Sequence, residues 1–130
     1  MIVIDTSAFV AILLKEPERP VFMATIAADE QRVVSAVTML ETCLVMHGRH
    51  GPSGVVDFRN LIDLLAPTIA AFDEKQAANA YQAFTKWGKG INSRSRLNLA
   101  DCAVYALAKS LNAPLLYKGN DFSATDIVPA

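Results

Sequence analysis

The sequence predicts an α/β fold, a three-layer α/β/α sandwich in which helices cover both faces of a central, mainly parallel, twisted sheet. Short apolar or β-branched runs alternate with longer amphipathic segments along all 130 residues. Neither tandem hairpins nor internal repeats interrupt this alternation, which is typical of parallel sheets with helical crossovers. Apolar residues make up 52% of the chain, enough for a real core. We expect a single domain over residues 1–130.

The individual elements follow from periodicity and from the turn residues between them. Strands are predicted at residues 2–4, 32–37, 67–72 and 115–117, with a last short edge strand at 126–128. Helices are predicted at residues 8–15, 21–29, 38–50, 55–65, 73–86 and 97–112. Prolines break the chain at Pro17 and Pro20, and a Gly-Pro-Ser-Gly turn follows His50.

Composition excludes several classes of protein. The net charge is −1, so the chain as a whole is not a polycation. Its apolar runs are all far shorter than the roughly 20 residues that span a bilayer, and the N-terminus lacks the features of a signal peptide. We therefore expect a cytoplasmic protein without a membrane partner. Cys43 and Cys102 are far apart in predicted helices, which favours buried, reduced thiols.

Basic residues are concentrated in one interval of the chain. No acidic residue occurs between Glu74 and Asp101, and part of this interval is a loop rich in glycine and serine. A basic surface for phosphate groups and a merely solvated face are equally consistent with this pattern. Trp87 is a candidate for stacking on a base, although a core or interface role is the more favoured interpretation. The candidates for contacts with the phosphate groups of a nucleic acid are Lys86, Lys89, Arg94, Arg96 and Lys118.

Four acidic residues occupy strand ends or helix starts of the predicted fold. Asp5 directly follows the first strand, and Asp121 follows the fourth. Glu41 and Asp101 each fall in the first turn of a predicted helix, and Asp101 does so among apolar neighbours. In a parallel α/β sheet, strand carboxyl ends and helix starts share the edge at which ligands bind. We therefore expect these four carboxylates to converge.

Each acid also has a simpler structural explanation. A carboxylate near a helix start is favoured by the helix dipole and can accept hydrogen bonds from free backbone N–H groups. Position alone does not separate the four from Asp73 and Glu74, which lie at another strand-to-helix junction. The competing assignments are an N-cap for Asp5, a turn for Asp121, and capping boxes for Thr38-x-x-Glu41 and Asn98-x-x-Asp101.

The chemistry of crowded carboxylates points to a hard divalent cation. Carboxylates on one edge repel one another unless a cation or a proton intervenes, and oxygen ligands select ions such as Mg²⁺ or Mn²⁺. Mg²⁺ retains waters and binds phosphate oxygens, which suits hydrolysis of a phosphodiester. His47 and His50 have helical i, i+3 spacing, but zinc needs more nitrogen or sulfur ligands, so a surface or packing role is expected.

The acids and their neighbours together resemble the PIN-domain family, and within it the VapC-type toxins of bacterial toxin–antitoxin pairs. Trp87-Gly88-Lys89-Gly90 is similar to one VapC subgroup. The chain departs from many relatives at Ala100, where they carry glycine, but alanine is small and favours helix. The segments that carry the resemblance, in the family's order, are residues 2–8, Glu41 after the Ser35/Thr38 strand end, residues 97–102 and residues 115–122.

This resemblance implies a PIN-like fold and a metal-dependent endoribonuclease. It implies that Ser7, or less strongly Thr6, supports the site by hydrogen bonding to an acid. A cognate antitoxin protein would hold the enzyme inactive, RNA would be the substrate, and the chain would form a homodimer through helices. The residues expected to hold Mg²⁺ or Mn²⁺ and to act in catalysis are Asp5, Glu41, Asp101 and Asp121.

Two other functions compete with this expectation. An aspartate-nucleophile phosphohydrolase would also place an acid after the first strand, but it needs a second acid two residues later, where Ser7 stands. A catalytically silent PIN-like module that binds RNA or protein is the second. In a silent module the catalytic site would have lost some of its acids, and the presence of all four family acids argues against this.

Overall fold

A four-stranded, fully parallel sheet organises the computed structural model, which describes residues 1–130. The strand order is β3-β2-β1-β4, so β1 lies between β2 and β4. After β1 the chain proceeds towards one edge of the sheet and finally returns to the other side of β1. This reversal beside β1 is the place where parallel α/β sheets bind ligands. The strands are β1 (Ile2–Ile4), β2 (Arg32–Ser35), β3 (Thr68–Ala70) and β4 (Leu115–Leu116).

Six helices connect and cover these strands. Two of them, α1 and α3, begin directly after a strand, because a polar residue at the strand end also caps the helix. Asp5 and Ser35 act in this way, accepting hydrogen bonds from the backbone N–H groups of Ser7 and Val37. No helix has the length and apolar character needed to cross a membrane. The helices are α1 (Thr6–Leu13), α2 (Arg19–Ala27), α3 (Ala36–His50), α4 (Pro52–Leu65), α5 (Glu74–Trp87) and α6 (Leu99–Leu111).

The hydrophobic core consists of two clusters, one on each face of the sheet. Alternate residues of β1 point to opposite faces: Ile2 and Ile4 belong to one cluster and Val3 to the other. Helices α1, α2 and α4 cover the first face, where Phe9 and Phe58 pack edge to face with ring centroids 5.3 Å apart. Helices α5 and α6 cover the second. The predicted sandwich with a parallel central sheet is confirmed.

The predicted strand at residues 126–128 is wrong. The C-terminal segment makes only one isolated bridge, between Leu115 and Pro129, beside the two-residue strand β4. Leu115 N donates to Val128 O and Ala130 N donates to Leu115 O, both at 2.9 Å, so the backbone pairing is confined to one residue of β4. Side chains also hold the segment, because Tyr105 and Lys109 of α6 both bind the carboxylate of Asp126.

Both cysteines are free thiols, as predicted. Cys102 of α6 is buried, whereas Cys43 of α3 is only half-buried, so the expected burial holds for one of the two. The low dielectric around Cys102 and the negative charge of Asp101 raise the pKa of its thiol to about 11. Cys102 therefore remains a neutral, unreactive thiol at physiological pH.

Candidate acidic site at the carboxyl edge of the sheet

Asp5 lies at the end of β1 and is 5% exposed. Its Oδ2 accepts two hydrogen bonds from Ser7, one from the backbone N–H at 2.9 Å and one from Oγ at 2.6 Å. Burial raises the pKa of Asp5 to about 6 despite these bonds, and the negative charge of Glu41 adds to the shift. The N-cap assignment is therefore correct for Asp5, but a surface cap would not need this burial.

Asp101 lies in the first turn of α6 and is 8% exposed. It forms the predicted capping box with Asn98: Asp101 N donates to Asn98 Oδ1 at 2.9 Å, and Asn98 N donates to Asp101 Oδ2 at 3.0 Å. Burial raises the pKa of Asp101 to about 7, with further contributions from the charges of Asp5, Asp121 and Glu41. The carboxylate therefore caps its helix and also faces three other acids.

Glu41 and Asp121 complete the group from the two sides of β1. Glu41 is half-buried and lies in the second turn of α3, not in the first as predicted, because α3 begins at Ala36. The N-cap of α3 is Ser35, so the predicted capping box between Thr38 and Glu41 is wrong. Asp121 is exposed in the turn that follows β4. Both charges raise the pKa of Asp101, as does that of Asp5, which places these three carboxylates within electrostatic reach of Asp101.

The other acids and histidines that the sequence left open lie elsewhere. Asp73 and Glu74 follow the edge strand β3 and are exposed, and neither is among the charges that raise the pKa values of Asp5 and Asp101. His47 and His50 are exposed in the last turn of α3. A surface role for these histidines is consistent with that position.

The donor set fits a hydrated hard cation. Its side chains offer carboxylate oxygens without nitrogen or sulfur. Oδ2 of Asp5 accepts a hydrogen bond from Ser7, and Oδ2 of Asp101 accepts one from Asn98. These bonds hold both carboxylates in a fixed orientation. No three histidine, cysteine or acidic side chains are close enough to enclose an ion by themselves. Mg²⁺ needs no such cage, because it retains several waters.

Thr6 and Ser7 differ in what their hydroxyl groups contact. The Ser7 hydroxyl binds Asp5, as described above. The Thr6 hydroxyl is buried and accepts a hydrogen bond from Thr42 Oγ1 at 3.3 Å. Thr6 therefore joins α1 to α3 through Thr42, the residue that follows Glu41. The hydroxyl of Thr6 contacts none of the four acids.

Four of the five candidate RNA-binding cations are exposed, and the fifth is engaged in ion pairs. Lys86, Lys89, Arg94 and Arg96 have free access to solvent. Lys118 instead contacts Glu16 and Glu18 through its ammonium group. Its backbone N–H donates to Ser7 Oγ at 2.9 Å, a contact that sequence reasoning missed. The signal for it lies in the sheet order, since β4 pairs with β1 and brings the residues after each strand together.

Trp87 anchors the basic loop, which comprises residues 88–98 between α5 and α6 and leads to Asp101. Its indole Nε1 donates to Tyr105 OH at 3.1 Å, and its half-buried ring packs against the core cluster under α5 and α6. Its carbonyl oxygen accepts hydrogen bonds from Leu97 N at 3.2 Å and Ser95 Oγ at 2.9 Å. The ammonium of Lys86 lies 5.0 Å from the ring centroid. The favoured core role thus fits Trp87 better than stacking on a base.

Comparisons with known proteins identify the family. The PIN domain matches residues 2–128. A relative in Mycobacterium tuberculosis, ribonuclease VapC30, is 42% identical over 125 residues, which cover 96% of this chain and 95% of that protein. This match is long and similar enough to show common family membership, including the group of ribonucleases to which the relative belongs.

Solved structures show the same fold. The crystal structure of Mycobacterium tuberculosis VapC20, a sarcin-ricin loop cleaving toxin, has a TM-score of 0.82 and 15% identity, and the match covers 100% of this chain and 98% of that one. A toxin–antitoxin complex from Klebsiella pneumoniae has a TM-score of 0.72 and 18% identity, with 100% and 97% covered. Together with the arrangement of the four acids, these comparisons show that the chain belongs to the PIN-domain family, among its VapC ribonucleases.

Proposed function

We propose that this protein is an endoribonuclease toxin that hydrolyses RNA phosphodiester bonds with Mg²⁺ or Mn²⁺. The observation that carries the proposal is the convergence of two buried carboxylates with two more accessible ones at the carboxyl edge of β1. Burying like charges together costs free energy. A cation that binds them offsets this cost, and the relatedness to VapC ribonucleases supplies the reaction class.

The four acids act as two pairs in this proposal. Asp5 and Asp101 are the direct metal ligands, because they are buried and held by fixed hydrogen bonds. Glu41 and Asp121 bind directly, hold a second ion, or orient the waters around the first. When bound, the metal lowers the pKa of a water and stabilises the charge that develops on the phosphate. Ser7 keeps Asp5 in position by donating to its Oδ2.

The raised pKa values of Asp5 and Asp101 imply that protons compete with the metal ion for these carboxylates. At neutral pH a pKa of about 7 leaves Asp101 partly protonated when no cation is present. Metal ligation requires the carboxylate, so cation binding is expected to release protons from this site. The chain's own contribution is therefore a site that exchanges protons for a divalent ion.

The cleavage test compares the purified protein, free of any antitoxin, with the Asp101→Asn variant on a broad panel of structured RNAs. We expect cleavage that requires Mg²⁺ or Mn²⁺, stops on addition of chelator and is abolished in the variant. Sequencing the new RNA ends would locate the cut. If the folded wild type, the variant and the buffer give identical RNA patterns, the chain is a silent binding module and the proposal is wrong.

The basic loop is proposed to hold the RNA backbone. Replacing Lys89, Arg94 and Arg96 by Gln is expected to raise KM and weaken RNA binding. The slope of log K against log salt should fall by about 0.7 for each phosphate of a single strand that the variant no longer neutralises. The matched control is Lys75→Gln, since Lys75 is an exposed lysine at the opposite end of α5. An unchanged slope in the triple variant would remove the loop from the RNA interface.

A cognate antitoxin is the proposed protein partner. Structural likeness to a toxin–antitoxin complex supports this proposal, and a protein that acts on cellular RNA is expected in the cytoplasm. Co-expression with the protein encoded beside it is expected to yield a copurifying complex that no longer cleaves RNA. A free, fully active enzyme after co-expression would exclude that protein as the antitoxin.

A homodimer is proposed through the apolar surface around Leu99, which is 76% exposed. Leu99 lines one groove with Leu40 and Leu44 of α3, and a second, wholly apolar groove with Tyr81 and Phe84 of α5. Contiguous apolar surface of this kind marks interaction sites. The Leu99→Glu variant is expected to be monomeric in analytical ultracentrifugation where the wild type is dimeric. A wild-type monomer at micromolar concentration would contradict this.

A further inference from the structure

We propose that Lys118 is a positioning residue for the acidic site. Its ammonium group is held by Glu16 and Glu18, and this fixes its own backbone N–H against Ser7, which in turn orients Asp5. The three side chains are called the Glu16–Glu18–Lys118 clamp below. The effect on cleavage rests on the proposed function, whereas the effect on the backbone of residue 118 does not.

The carboxylates of the clamp come from a rigid turn between α1 and α2. Glu16 N donates to Ala11 O at 2.9 Å, Arg19 N donates to Glu16 O at 3.0 Å, and Pro17 restricts the backbone between them. Lys118 Nζ contacts Glu16 Oε2 and lies 3.2 Å from Glu18 Oε2. The turn is therefore a fixed support to which the chain after β4 is attached.

The segment after β4 needs such a support. Strand β4 has only two residues, and Gly119, with a φ of +98°, follows Lys118 directly. Few backbone contacts thus hold the chain between Leu116 and Asp121. The clamp attaches this segment at Lys118, before the glycine and three residues before Asp121.

The hydroxyl of Ser7 transmits the position of Lys118 to Asp5. A serine hydroxyl has one proton and can accept through its lone pairs. Because Ser7 Oγ accepts from Lys118 N at 2.9 Å, its proton is directed to Asp5 Oδ2 at 2.6 Å. A shift of the Lys118 amide would free the hydroxyl to rotate, and one of the two hydrogen bonds from Ser7 that hold Asp5 would weaken.

The ion pairs distinguish Lys118 from a phosphate-binding lysine. Two carboxylates already neutralise its ammonium group and hold its pKa above the ordinary lysine value. The three side chains are each about one third exposed, so their pairing contributes little to global stability. Removing a phosphate contact should raise KM, whereas removing a positioning contact should lower kcat with KM retained.

The test uses the full chain and three variants: Lys118→Met, Lys118→Arg, and Glu16→Gln combined with Glu18→Gln. The methionine variant keeps the backbone N–H and most of the side-chain length but removes the charge. Hydrogen exchange of the residue 118 amide is followed by NMR, and kcat and KM are measured for RNA cleavage. Lys109→Met is the matched control, because Lys109 forms a comparable ion pair with Asp126 at 3.1 Å on α6.

Exchange of the residue 118 amide is expected to accelerate about tenfold in Lys118→Met and in the double variant, with kcat lowered about tenfold and KM within about twofold of wild type. The Lys118→Arg variant should retain amide exchange and kcat close to those of the wild type. The Lys109→Met variant should change neither amide exchange nor kcat. Unchanged amide exchange, or a raised KM with kcat retained, would overturn the proposal. If the wild type cleaves no RNA, the proposed function fails, while amide exchange still decides whether the clamp acts.

Discussion

The Asp101→Asn variant is expected to lose RNA cleavage and to become more stable than the wild type at pH 8 in the absence of metal. Mutation of a residue that merely holds a metal ligand in place lowers activity by about 10- to 100-fold. Removal of the ligand itself should therefore lower the cleavage rate by about 100-fold or more. Asparagine retains an acceptor oxygen for Asn98 N, so the helix cap survives. Loss of activity therefore reports on the site and not on the fold.

The gain in stability comes from removing a buried charge. The pKa of Asp101 is raised from 3.8 to about 7 by burial and by neighbouring acids, and each unit corresponds to about 1.4 kcal/mol between the protonation states. Relaxation and solvent access reduce the full value, so we expect a gain of about 1–3 kcal/mol at pH 8 and almost none at pH 4. Urea unfolding of both proteins in chelator measures it.

Asp126→Asn is the matched control for this experiment. Asp126 is a carboxylate near the same helix, but its hydrogen bonds to Tyr105 and Lys109 lower its pKa. Its replacement should leave cleavage intact and destabilise the protein slightly, which is the opposite sign. An Asp101→Asn variant that is destabilised at pH 8 would show that the buried charge of Asp101 does not cost the free energy inferred from its raised pKa.

The metal-free protein is expected to lose stability as the pH rises from 5 to 8, and divalent metal should reverse this loss. Asp5 and Asp101 titrate near pH 6 and pH 7 in the folded protein, against an ordinary value of 3.8. Between these values the folded state holds more protons than the unfolded state, so raising the pH favours unfolding. Above about pH 8 both groups are ionised in both states and the loss levels off.

A cation binds the ionised folded site and stabilises it by mass action, by about 2.7 kcal/mol at 100 times its Kd. The expected stabilisation by Mn²⁺ is therefore large at pH 8 and small at pH 5, where protons compete. Acids with lowered pKa values, such as Asp29 and Asp126, lose their contribution to the free energy of unfolding only at lower pH. They therefore do not affect the change in stability between pH 5 and pH 8.

Unfolding curves at four pH values, with chelator or with Mn²⁺, provide the measurement for this second prediction. The Asp101→Asn variant serves as the control, because it should flatten the pH dependence and weaken the response to metal. Stabilisation by Mn²⁺ that is equal at pH 5 and pH 8, or that is undiminished in the variant, would contradict a metal site built on these carboxylates.

Local sequence signals explain why much of the fold was predictable. The β-branched run at residues 2–4 and the capping box at Asn98 and Asp101 both operate within a few residues, so the sequence was enough to predict them. Errors arose where two local signals competed. Ser35 and Thr38 can both cap a helix, and the shorter strand β2 left Ser35 to do so, which moved Glu41 into the second turn.

The sequence by itself determined the alternation of strands and helices and the position of each acid at a strand end or near a helix start. Only the tertiary structure decided that β1 lies between β2 and β4, which separates the four converging acids from Asp73 and Glu74 at the edge strand. It also decided that Lys118 pairs with Glu16 and Glu18. These ion pairs join residues about 100 positions apart, and no local pattern encodes which distant side chain fills the available space.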